Sequence, residues 1–124
     1  MFTDTKAFSG FSVNDLAAAK DFYSTVLGLN VEETSMGLTL HVAGTNGIFV
    51  YPKPDHVPAT YSILNFPVND VDAAVNALIA KGVTFEQYTN VTDDKGIARS
   101  TSPEKGPSIA WFKDPAGNIL SVLS

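Results

Sequence analysis

A chain of 124 residues, 44% of them hydrophobic and 17% charged, can bury a core without covalent staples and is too apolar to be disordered. It has no cysteine, which excludes disulfides, thiol nucleophiles and Cys-type zinc sites. A net charge of −5, with basic residues scattered, argues against nucleic acid or an acidic membrane surface as partner.

In chain order, residues 1–6 lack the basic-then-apolar pattern of a signal peptide, so the expected address is cytoplasmic. A strand is expected over 7–13, and Asn14 or Asp15 caps the helix after it. That helix carries Leu16, Ala19, Phe22, Tyr23, Val26 and Leu27 on one face and stops at Gly28. Strands are expected over 29–33, 37–43 and 47–51, joined by Ser35-Met36-Gly37 and Gly44-Thr45-Asn46-Gly47. Pro52, Pro54 and Pro58 mark a linker over about 52–60, because proline cannot continue a central strand or a helix.

The second half repeats this order: a strand over 61–68, a cap at Asn69-Asp70, and a helix with Val71, Ala74, Val75, Leu78 and Ile79 on one face, stopping at Gly82. Strands follow over 83–88, over 97–101 together with 108–113, and over 118–123. Asp114-Pro115-Ala116-Gly117 has the residues of a tight turn: Asp accepts backbone N–H groups, Pro presets φ and Gly supplies positive φ. No apolar run approaches the roughly 18 residues of a membrane span. The halves also match residue by residue, 11–19 against 66–74 and, past the helix, 28–32 against 82–86. One supersecondary unit is used twice.

Val13-Asn14-Asp15-Leu16 and the stretch 19–29, Ala-Lys-Asp-Phe-Tyr-Ser-Thr-Val-Leu-Gly-Leu, resemble the opening of a glyoxalase/bleomycin-resistance/dioxygenase (vicinal oxygen chelate) domain. Residues 111–118, Trp-Phe-Lys-Asp-Pro-Ala-Gly-Asn, resemble its closing turn. The resemblance implies an α+β fold of two tandem βαβββ modules, their mixed sheets curling around a shared cleft, in a homodimer. It makes 1–124 a single domain, with module one over about 6–52 and module two over about 61–124.

Strand alternation assigns the faces. The large apolar residues Phe11, Val13, Leu38, Leu40, Ile48, Val50, Leu64 and Phe66 face the helices. The opposite face then holds the candidate ligand-binding residues Phe8, Ser12, His41, Phe49, Tyr51, Ile63, Asn65, Ile109, Trp111 and Ser121. This mixture of aromatic and apolar lining with sparse hydrogen-bonding groups is that of a small-molecule pocket. His41 and Tyr51 are the candidates for proton transfer, although this face offers His41 no carboxylate and the other histidine, His56, lies in the linker. Asp93-Asp94 reads as a solvated turn, and Lys53 and Arg99 as isolated cations.

Metal-dependent members of the family carry His or Glu at four inward positions. Aligned on the two Val-Asn-Asp corners and the Asp-Pro-x-Gly turn, those positions fall at Phe8, Tyr51, Ile63 and Ser121. None is a good ligand for a divalent ion, so no metal and no other cofactor are expected. The leading expectation is a metal-free protein that sequesters a small molecule in an aromatic cleft. The alternative is a glyoxalase-like lyase or isomerase, or a dioxygenase-related enzyme, using His41 and Tyr51 or an unrecognised metal site. An interaction module with no small ligand is the third reading left open.

Overall fold

Asp15 and Asp70 open the two helices in the same way. Each is extended, with φ −130° and −145°, and its carboxylate accepts a backbone N–H, from Ala18 at 3.1 Å and from Ala73 at 3.2 Å. The repeated Asn-Asp pair is thus resolved in favour of the aspartate as the cap. Gly28 and Gly82, just past the helical segments, adopt φ of 70° and 93°.

The computed structural model describes residues 1–124, which form two compact units, Met1–Pro58 and Ala59–Ser124. The first unit contains β1 (Ser9–Val13), α1 (Leu16–Asp21), β2 (Asn30–Glu33), β3 (Leu38–His41) and β4 (Ile48–Pro52). Its sheet runs β1-β4-β3-β2, with β1 parallel to β4 and the other pairs antiparallel. The second unit contains β5 (Ser62–Pro67), α2 (Val71–Ala80), β6 (Ile97–Ala98), β7 (Ile109–Lys113) and β8 (Ile119–Leu123). Its sheet has the matching order β5-β8-β7-β6, again with one parallel pair, β5 and β8. The duplicated sequence therefore folds into duplicated mixed sheets, an α+β architecture. No helix is long and apolar enough to cross a membrane.

Each unit buries one face of its sheet. In the first, α1 lies against β4, and Val13, Tyr23, Leu38, Leu40 and Val50 are completely buried. In the second, α2 lies against β7 and β8, over fully buried Val75, Ala110, Phe112 and Leu120. These residues alternate along their strands, so burial falls on the face that the large apolar residues mark.

Three local expectations are corrected. The first helix does not keep one period to Leu27: it is α-helical to Asp21 and π-helical over Phe22–Val26, with the Leu27 N–H donating to the Phe22 carbonyl at 3.0 Å. Over five residues the two periods diverge by less than one position, so an apolar stripe does not separate them. Residues 83–88 are not a strand. Phe85 makes a single bridge to Phe112, and the Glu86 N–H donates to the Trp111 carbonyl at 2.8 Å.

The outer edge of β7 is instead shared between that bridge and β6, whose Ile97 pairs with Ala110. The two meet where the backbone of Gly96, at φ 82°, passes so close to Phe85 that an added Cβ would lie 2.8 Å from the Phe85 Cβ. A continuous strand has no room there. In the third correction, 97–101 and 108–113 do not act as one strand: β6 is a separate two-residue strand antiparallel to β7.

Candidate functional site

The first unit's open face follows from its register. Gly10 lies opposite Phe49 and Ser12 opposite Tyr51 across the parallel β1–β4 pair; Thr39 lies opposite Phe49 and Glu32 opposite Thr39. Phe49 and Tyr51, two residues apart on β4, stack with ring centroids 5.6 Å apart and planes 18° from parallel. Such an offset pair presents a flat apolar surface. Phe8, just before β1, is 68% exposed and joins Phe49 and Met36 around a cavity of about 470 Å³.

Both histidines meet this sheet, and neither has the setting expected of it. His41 has a carboxylate partner after all: its Nε2 lies 3.0 Å from Glu32 Oε1, both side chains being largely exposed. Glu32 is one strand away on the same face, reached by pairing that alternation within β3 does not reveal. His56 does not stay in a detached linker. Its N–H donates to the Lys53 carbonyl at 3.0 Å, closing a turn that places Nδ1 2.6 Å from Ser12 Oγ. Ser12 and His56 thus form a half-buried polar pair beside Tyr51.

The second unit presents Trp111 opposite Ser121, and Asn65 opposite Ser121, across β7–β8–β5. Ser121 is buried, and its hydroxyl donates to Asn65 Oδ1 at 2.5 Å. Trp111 packs edge-on with Tyr88, centroids 5.7 Å apart and planes at 73°. These two rings, with Tyr61, Ser62 and Ile119, line a cavity of about 240 Å³. Ile109 is half-buried and pairs with Leu123 and Ala98. The β5–β8 register breaks between Ser62 and Leu64, so that Ser62 rather than Ile63 stands opposite Ile119. Ile63 is half-buried at that irregularity and does not line the cavity.

Sequence alternation missed His56, Tyr61 and Tyr88. His56 lies between prolines and has no parity to read. Tyr61 shares the parity of Ile63 and Asn65 but falls just before β5, and Tyr88 falls in a segment that is not a strand, although three tyrosines and the single tryptophan near the open faces are a compositional signal.

Arg99 is not an isolated cation: it grips Asp72 of α2 with both terminal nitrogens, at 2.8 and 2.7 Å, and Asp93 with Nε at 2.9 Å. The guanidinium holds the Asp72 carboxyl below the usual range. Asp93 is held low first by the Ile97 N–H and then by Arg99, so Asp93 organises its loop instead of merely being solvated. Lys53 pairs with Asp55 at 2.6 Å, and Lys113 with Glu86 at 3.0 Å, a pairing that raises the lysine's pKa.

A divalent ion is not accommodated by these residues. Of the four positions the resemblance singles out, Phe8 and Ile63 have no donor atom, Tyr51 offers a phenol, and the Ser121 hydroxyl is given to Asn65. No three His, Asp or Glu side chains converge, and no buried side-chain nitrogen or oxygen lacks a partner.

The family model for the Glyoxalase/Bleomycin resistance protein/Dioxygenase superfamily matches residues 8–122. Among solved structures, a glyoxalase family protein from Enterococcus faecalis aligns over 100% of both chains, with TM-score 0.70 and 19% identity. A superfamily member from Sphaerobacter thermophilus covers 99% of this chain and 98% of its own, at TM-score 0.71 and 22% identity. The fosfomycin resistance protein FosX from Listeria monocytogenes covers 94% of this chain and 89% of its own, at TM-score 0.72 and 15% identity. At these identities the likeness is one of fold. No curated protein sequence matches the chain.

Proposed function

The chain belongs to the Glyoxalase/Bleomycin resistance protein/Dioxygenase superfamily, and from that premise we propose that it is a metal-free protein that binds and sequesters a small molecule on its aromatic sheet faces. The observation that carries this reading is the pairing of ordered aromatic surface with an unsuitable donor set. Phe49 stacks on Tyr51 and Tyr88 packs on Trp111, while no three metal-ligating side chains converge. Rings held by neighbouring rings give apolar contact area without further loss of side-chain entropy on binding. The polar groups at their margins, Ser12 with His56 and the exposed Asn65 held by Ser121, supply the few orienting groups that such a site needs. The acting species in this reading is a cytoplasmic homodimer.

A second reading, proton-transfer chemistry at His41, is favoured by the Glu32 carboxylate 3.0 Å from the imidazole, because a base oriented by a third group is the usual arrangement. Tyr51 is no partner in it, since the β3–β4 register places His41 and Tyr51 at opposite ends of the strand pair. One titration addresses both readings. Trp111 is the only tryptophan and lines the second unit's cavity, so planar aromatic and amphipathic compounds are expected to quench or shift its emission saturably. A panel that never changes the emission would remove Trp111 from the proposed site. A compound that is converted, with conversion lost in His41→Ala, would move the function to catalysis.

A further inference from the structure

We infer that the cavity at Met36, Phe8 and Phe49 in the first unit is a binding site for an uncharged, largely apolar small molecule; this rests on the small-molecule reading and names the ligand class. At about 470 Å³ the cavity lies within the range of small-ligand pockets, roughly 300–1,000 Å³. None of its eight lining residues is charged, although 17% of the chain is. Glu33 on adjacent β2 is turned to Lys20, at 2.8 Å, and Glu32 to His41.

Two of the polar lining side chains, Thr34 and Asn46, are engaged within the protein. Thr34 Oγ1 accepts the N–H groups of Met36 and Gly37 at 3.2 and 3.1 Å and donates to the Gly37 carbonyl. Asn46 donates its amide to the Ala7 carbonyl at 3.0 Å. The other hydroxyls, on Ser35 and Thr39, are neutral. An anion would give up its hydration here without gaining a counter-charge, and a cation would meet only Glu32, which is turned to His41. A neutral ligand loses little and gains two phenyl rings and a thioether, and methionine adapts readily to irregular ligand shapes.

Methionine gives a direct readout. Met1 and Met36 are the only two methionines, so protein made with methyl-labelled methionine has two methyl signals. The neutral probe phenylnaphthylamine is expected to shift the Met36 signal saturably, and the anionic analogue anilinonaphthalenesulfonate to leave it in place. Met36→Lys introduces a charge at a turn residue that is 72% exposed, and is expected to weaken the neutral probe about tenfold. Phe8→Ser, also at an exposed position, is expected to weaken it similarly.

Equal or tighter binding of the anion would overturn the ligand class. A change in Trp111 emission with the Met36 methyl unmoved would overturn this site and leave the broader binding reading standing. Silence of both reporters to every compound would overturn both. A Met36 shift that follows protein concentration without any probe would assign the face to a second copy of the chain, against this inference.

Discussion

Replacing Phe112 by alanine is expected to destabilise the protein by about 3–5 kcal/mol. Phe112 has no exposed surface and lies in β7, with Leu120 as its cross-strand partner. On its other side it forms the bridge to Phe85, and the two rings meet edge-on at 5.4 Å. The truncation therefore leaves a cavity that backbone pairing on both sides prevents from closing, which is the condition for a cost at the upper end of the range. Against a typical total stability of about 5–15 kcal/mol, such a loss shows directly as a lower urea midpoint. A loss under about 1 kcal/mol would mean that Phe112 does not anchor the second unit.

Gly37→Ala is expected to cost about 2–4 kcal/mol. An added Cβ would lie 2.2 Å from the Val50 carbonyl oxygen and 3.2 Å from the Tyr51 Cα, at a φ of 158°. The obstruction is backbone of a central strand, so no side-chain rotation relieves it. Gly28 is the internal control. Its φ is 70°, but nothing lies within 4 Å of an added Cβ, so Gly28→Ala meets only the left-handed penalty of about 1–2 kcal/mol. Thermal melts of the two variants should therefore separate, with Gly37→Ala the lower. Equal melting temperatures would show that the turn carrying Met36 relaxes freely, contrary to its packing against β4.

The same two regions show what the sequence makes legible. The helix caps at Asp15 and Asp70, the glycine stops and the Asp114 turn depend on residues within four positions of one another, and local pattern exposes them. In that turn Asp114 Oδ1 accepts the N–H groups of Ala116 and Asn118, both at 2.9 Å. Face assignment by alternation also works wherever a strand is regular, as the buried set on β3 and β4 shows. It fails at Ile63, where the register breaks, and at 83–88, where the outer edge of β7 is divided between two chain segments.

The partners that define the candidate sites are less accessible still. Ser12 and His56 are 44 residues apart, Arg99 and Asp72 27. Such pairs exist only once the sheets and turns have formed. Residue types on one strand do not disclose them, which is why His56 reads as linker and Arg99 as a lone cation until the fold is in place.

The central claim, ligand binding on aromatic faces without a metal, is tested most directly by metal content. The protein, prepared without chelator or affinity tag, would be challenged with nickel, zinc, manganese and iron, desalted and analysed by mass spectrometry. The donor set at Phe8, Tyr51, Ile63 and Ser121 predicts retention far below one ion per chain for every metal. A stoichiometric ion that survives desalting would contradict the claim and place metal-assisted chemistry ahead of sequestration.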